Sequence, residues 1–90
     1  MSRKAFKISG QVQGVGFRYH TLNKSRELSL KGYVRNLPDG NVFCLADGDS
    51  HRIDQLEAWL WQGPSYSKVK SVNEEPVDMD EQFVDFQVRF

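Results

Sequence analysis

Ninety residues, 39% of them hydrophobic, with twelve Lys and Arg balanced by twelve Asp and Glu, make one domain over residues 1–90 with a modest core and leave no room for a second. Zero formal charge without a long basic run argues against a general nucleic-acid surface, and no apolar run is long enough to span a bilayer. The lone cysteine, Cys44, can form no internal disulfide and has no Cys or His cluster beside it, so structural zinc is not expected; Met1-Ser2-Arg3-Lys4 leads straight into a strand pattern rather than a signal-peptide core, and the expectation is a soluble cytoplasmic protein.

From Ala5 to Val12 the residues alternate, with Phe6, Ile8, Gly10 and Val12 on one side and Lys7, Ser9 and Gln11 on the other, predicting a strand with one buried face. A glycine-punctuated loop follows, and then a predicted helix from Phe17 to Leu30 with Leu22, Ser25 and Leu28 or Ser29 as its packed stripe and Lys24, Arg26 and Glu27 toward water. Gly32 is expected to stop or turn the chain. Tyr33 to Leu37 reads as a second strand, Pro38-Asp39-Gly40 as a turn, and Val42 to Ala46 as a third strand, apolar on both faces and therefore central. Asp47-Gly48-Asp49-Ser50 reads as a turn with two N-cap candidates, opening a second helix on Ile53, Leu56, Leu60 and one of Trp59 or Trp61 that Gly63-Pro64 ends. Lys68 to Asn73 carries Val69 and Val72 in a weaker strand pattern, Glu74 to Gln82 reads as an exposed acidic loop, and Val84, Phe86, Val88 and Phe90 alternate in a closing strand. The resulting βαββαββ order is that of an α+β, ferredoxin-like α/β sandwich: a mostly antiparallel sheet, two helices on one face, and the C-terminal strand at or near an edge.

The loop between first strand and first helix carries the chemistry. Gly10, Gly14 and Gly16 allow positive φ, so that successive N–H groups can turn toward one point, and the helix N-terminus adds partial positive charge. Such a loop suits a phosphate, and Arg18 offers a planar, permanently charged fork to the same oxygens. The bland alternative is a tight strand-to-helix turn, and the loop alone leaves both open. The glycine spacing does not fit G-x-G-x-x-G, and no Gly-Lys-Ser/Thr closes it, so a dinucleotide fingerprint and a Walker loop are excluded. In the second strand Asn36 lies two residues after Val34 and should share its helix-facing side, where an inward amide needs partners; by itself it could equally bond the local backbone of the turn.

Gly10-Gln11-Val12-Gln13-Gly14-Val15-Gly16-Phe17-Arg18 and Gly32-Tyr33-Val34-Arg35-Asn36-Leu37-Pro38-Asp39-Gly40-Asn41-Val42, with Gly48 after it, resemble the first and second signatures of the acylphosphatase family. Gly63-Pro64 and the closing Phe86-Gln87-Val88-Arg89-Phe90 extend the resemblance over essentially the whole chain. It implies hydrolysis of a carboxyl–phosphate anhydride, with the phosphoryl group wrapped by Gln13, Gly14, Val15, Gly16, Phe17 and Arg18, its oxygens held by Arg18, and the attacking water held by Asn36. A small-molecule acyl phosphate is the partner this implies; a carboxylate leaves readily, so neither metal nor cofactor is expected, and nothing in the sequence demands more than a monomer. Gly16, where the family often carries a larger side chain, is expected to loosen the loop slightly, and Ser67 stands where a small apolar residue is common.

His20 is two residues beyond Arg18, a rotation of about 200° on a helix, and reads as a surface or packing residue rather than a base; His51 reads as solvated. The acids Glu74, Glu75, Asp78, Asp80 and Glu81 lack an EF-hand pattern. Two rival functions remain in view: an RNA-binding ferredoxin-like module, against which the second and third strands lack the basic-aromatic recognition pattern, and a phosphate-binding domain without turnover, which only an assay separates from an enzyme.

Overall fold

The computed structural model describes residues 2–90. These run β1 (Ser2–Gln11), α1 (Phe17–Glu27), β2 (Lys31–Asn36), β3 (Val42–Gly48), α2 (Ser50–Gln62), β4 (Lys68–Glu75) and β5 (Phe86–Arg89), the expected order. One sheet has the strand order β4-β1-β3-β2-β5. Its pairs are antiparallel except β2 with β5, which are parallel. β3 is central because Val42, Cys44 and Ala46 are buried beneath the helices while Leu45 is buried on the opposite face.

Phe6, Ile8 and Val12 enter the core as the alternation of β1 requires. Gly10 does not; it is exposed at φ 124° beside a register shift between Ser9 and Gly10. A side chain there would collide with the backbone of Lys68, so this glycine serves close strand approach at a bulge.

α1 stops earlier than its sequence suggested. Ser29 takes the left-handed conformation at φ 56°, and the Leu30 N–H returns to the Ser25 carbonyl at 2.9 Å, a helix-ending arrangement usually given to glycine. Gly32, expected to end the helix, lies inside β2, where the Leu45 carbonyl occupies the space a side chain would need. The buried stripe of α1 is Phe17, Thr21 and Ser25; Leu22 and Leu28 are half-buried and Ser29 is exposed. Thr21 tolerates the core because its hydroxyl donates to the Phe17 carbonyl at 2.8 Å.

α2 is as expected at both ends. The Asp49 carboxylate caps it by accepting the Arg52 N–H at 3.2 Å, and Gly63 at φ 66° closes it with its N–H on the Trp59 carbonyl at 2.8 Å. Ile53, Leu56 and Leu60 are fully buried, and Trp59 packs on Phe17 while Trp61 is half exposed. The residues Asp47 and Gly48 continue β3, paired with Arg3 and Ser2, rather than forming the expected turn.

β4 reaches Glu75, two residues past its expected end, and β5 begins only at Phe86, leaving Val84 exposed. The acidic segment between them straps the sheet face opposite the helices. Phe83 packs on Tyr33 with ring centroids 5.8 Å apart. The guanidinium of Arg89 stacks 4.0 Å from the Tyr33 centroid and pairs with Glu81. Arg3 lies 5.0 Å over Phe83, pairs with Asp47 at 2.5 Å, and donates to the Asp78 carbonyl at 2.8 Å. No helix among the described residues is long and apolar enough to cross a membrane.

Candidate active site

At the end of β1 the chain bends through residues 13–16 into α1. Gly14 and Gly16 sit at φ 75° and 76°, alternating left-handed positions that turn N–H groups to one side. From Gly14 through Arg18, no N–H group donates to an acceptor among the described residues; the first helical bond is from the His20 N–H to the Gly16 carbonyl at 3.0 Å. α1 has neither a side-chain cap nor an acid in its first turn, whereas α2 is capped by Asp49. Its dipole and unpaired donors are thus left open toward an anion. Gly16 matches its conformation without strain, so the expected loosening is offset: a larger residue would bear the cost of positive φ there.

Arg18 stands on the first turn. Its guanidinium lies 4.7 Å from the Phe90 ring centroid and reaches the Arg89 carbonyl at 3.4 Å. Among the described residues no carboxylate forms an ion pair with it, so its charge is uncompensated. Asn36 ends β2 on the side of the fully buried Val34, and its side-chain oxygen is buried with no protein donor. An unpaired buried acceptor costs about 1–3 kcal/mol, which makes it a place for a water or ligand donor. Gly14, Gly16, Arg18 and Asn36 all line one hollow of about 310 Å³.

Gln13 has a different place from that expected. Its amide nitrogen donates to the carbonyls of Leu37 and Asn41, both at 2.8 Å, so its side chain ties the loop to the β2–β3 hairpin instead of turning to the hollow. Asp39 in that hairpin accepts the Asn41 N–H at 3.1 Å and pairs with Lys7 at 3.0 Å; these donors hold its carboxyl below the usual range. The loop bearing Arg18 and the strand end bearing Asn36 are therefore fixed to one another. Val15 is half-buried and packs on the core, and Phe17 is buried, leaving their backbone N–H groups as what they could offer an anion. The His20 ring lies beside Gly16, with Cδ2 3.5 Å from where a Cβ on that glycine would be, and edge-on to Tyr19. Among the described residues no cluster of three or more His, Cys, Asp or Glu is arranged to hold a metal. Cys44 is fully buried under the helices, and burial pushes its thiol up to about 12.

Tyr19, Val88 and Phe90 also line the hollow and were not marked as site residues in the sequence. The alternation of Phe86, Val88 and Phe90 carried part of that signal, since it puts Phe90 on the helix-facing side. What it lacked was the parallel pairing of β5 with β2, which brings that side next to Arg18.

The chain matches the acylphosphatase family over residues 4–88. It is 43% identical over 90 residues to an acylphosphatase of Pasteurella multocida, covering 100% of each chain. It superposes on an acylphosphatase from Coxiella burnetii with a TM-score of 0.90 at 41% identity, over 98% of this chain and 92% of that one. An acylphosphatase from Bacillus subtilis is similar over 100% of both chains, with a TM-score of 0.86 at 30% identity. On the match of motifs, fold and full-length relatives, the chain belongs to the acylphosphatase family and is an enzyme that hydrolyses the carboxyl–phosphate bond of acyl phosphates.

Proposed function

We propose that the Gln13–Arg18 loop binds the phosphoryl group of the substrate through its backbone N–H groups, that Arg18 holds two of its oxygens, and that Asn36 positions the attacking water. The observation that carries this reading is the run of unpaired N–H groups from Gly14 to Arg18 in the loop whose Gly14, Gly16 and Phe17 line the same hollow as Arg18 and Asn36. In phosphoryl transfer the equatorial oxygens carry most of the charge, and fixed dipoles plus one guanidinium aimed at them lower the barrier without reorganisation. The buried oxygen of Asn36 accepts a hydrogen bond from the water. The water oxygen bonds to phosphorus as the bond from phosphorus to the acyl oxygen breaks, and that electron pair leaves on the carboxylate. A phosphoryl oxygen takes the proton, because Asn36 cannot. A carboxylate is a good leaving group, so the step calls for neither a strong acid nor a metal.

In this reading the enzyme acts as a metal-free cytoplasmic monomer whose ninety residues form one acylphosphatase-like unit without a nucleic-acid partner. Support for the last point comes from the sheet face opposite the helices. Tyr33 and Phe43 lie there as neighbours on β2 and β3, but Phe83 and Arg89 already stack on Tyr33, where a base would have to sit. The test is phosphate release from acetyl phosphate with a strong chelator present. Wild type is expected to keep full activity. Arg18→Ala should lose both turnover and competitive inhibition by phosphate, and Arg18→Lys should recover little, since an ammonium lacks the planar fork. Activity abolished by chelator and restored by a divalent metal, or unchanged phosphate inhibition in Arg18→Ala, would contradict it.

A further inference from the structure

The formal net charge is zero, yet the charges are sorted along the sheet. β1, β2 and β5 end where the Gln13–Arg18 loop and Asn36 lie, and the antiparallel β3 and β4 begin there. Lys7, Arg18, Arg35, Lys68, Lys70 and Arg89 all belong to this end. Lys7 pairs with Asp39 and Arg89 with Glu81. Arg35, Lys68 and Lys70 are exposed, and among the described residues they form no ion pair, as Arg18 forms none. Lys68 is the register partner of Gln11, two residues before the loop begins, and Arg35 directly precedes Asn36. The acids gather at the opposite end: Glu27 closes α1, Asp47 and Asp49 lie where β3 gives way to α2, and Glu74 and Glu75 end β4. Lysine on an edge strand such as β4 ordinarily blunts that edge against pairing. That role does not account for the sorting, which leaves the unpaired cations beside the one loop built for an anion.

Resting on the phosphate-site reading above, we propose that Arg35, Lys68 and Lys70 form an electrostatic collar that draws dianionic acyl phosphates to the loop through water, without touching the reacting atoms. A chain of zero net charge whose charges are separated end from end has a dipole, and an anion approaching its positive end is attracted before any contact forms. The reach of that attraction is the Debye length, about 10 Å at 0.1 M and about 30 Å at 0.01 M ionic strength. Because the collar acts at a distance, it stabilises bound substrate and transition state alike, so it sets KM and kcat/KM and leaves kcat alone. The attraction scales with ligand charge. A dianionic substrate is therefore favoured over the monoanionic carboxylate product.

The experiment measures kcat and kcat/KM for acetyl phosphate at 0.01 M and 0.5 M ionic strength in wild type and in two double variants, Lys68→Gln with Lys70→Gln and Lys68→Glu with Lys70→Glu. At low salt the Gln variant should lose about threefold to fivefold in kcat/KM, and the Glu variant, with twice the change in charge, about the square of that factor. Both should converge on wild type at high salt, with kcat unchanged throughout. Lys31→Gln, which removes an exposed cation at the opposite end of β2, should keep the wild-type salt profile. Variants that match wild type at low salt, a deficit that persists undiminished at high salt, or an equal loss in Lys31→Gln overturns the collar. Arg18→Ala separates this failure from that of the underlying reading: lost turnover in Arg18→Ala beside unaffected lysine variants sinks the collar alone, whereas full turnover in Arg18→Ala sinks the phosphate site itself.

Discussion

Gln13 shows how a motif position can leave the partners of a side chain unread. Its position next to Gly14 made it a candidate phosphate ligand, yet its amide is spent on the Leu37 and Asn41 carbonyls. Nothing in the local sequence marks a contact across that separation; only the sheet order, with β1 and β2 flanking β3, brings the two loops together. Local periodicity was enough to bring Arg18 and Asn36 to one hollow, whereas the partners of the Gln13 side chain are fixed by tertiary structure. Its removal gives a prediction at this scale. Gln13→Ala should lose two hydrogen bonds worth about 0.5–1.5 kcal/mol each, and the freed loop should raise both KM and the phosphate inhibition constant by several-fold. Steady-state kinetics with phosphate as inhibitor, alongside a denaturant melt, check both effects. Unchanged kinetics would mean that the loop keeps its shape without this tether.

At the scale of elements, the strands and α2 were readable from period and caps, and the boundaries of α1 and β5 were not. α1 ends at Glu27 and the left-handed residue that follows is Ser29, where burial of Leu30 sets the turn although the sequence supplies a serine, an override that propensity cannot foresee. Gly32 looked like the stop signal because glycine usually is one; its actual role is to let β2 and β3 approach at Leu45. The strain at Ser29 can be measured. A left-handed non-glycine residue costs about 1–2 kcal/mol, and glycine returns roughly 0.5–1 kcal/mol of that through unfolded-state entropy. Ser29→Gly should therefore stabilise the protein by about 0.5–1 kcal/mol without altering kcat. Equilibrium unfolding in urea tests this, and a destabilised variant would show that the serine side chain contributes more than its backbone geometry costs.

For the whole molecule, order and layering followed from the pattern of apolar residues, but the strap over the far sheet face did not. Its acidic composition suggested a solvated loop, and its binding depends on Phe83 meeting two arginines from distant strands. The Glu81 carboxyl is held below its ordinary value of 4.5, chiefly by its hydrogen bonds from Arg89. A group whose folded pKa is depressed stabilises above its unfolded pKa and loses that contribution as pH falls through the folded value. The Glu81–Arg89 contact should thus be fully present near neutrality and fade below pH 4.5. Thermal melts at about pH 6.5 and about pH 3 should show Glu81→Gln less stable than wild type at the higher pH and the gap closing at the lower; a gap that persists in acid would assign the difference to packing.

The account's central claim is the division of labour within the hollow: the loop and Arg18 hold the phosphoryl group, and Asn36 acts on the water. The most direct measurement is kcat for acetyl phosphate together with the inhibition constant of inorganic phosphate, in wild type and Asn36→Ala. The account predicts that kcat falls by about a hundredfold to a thousandfold, the scale for removing one preorganised polar group from a transition state, while KM and the phosphate inhibition constant stay within about twofold. An Asn36→Ala enzyme with near-normal kcat, or one whose phosphate affinity collapses along with its turnover, would contradict it.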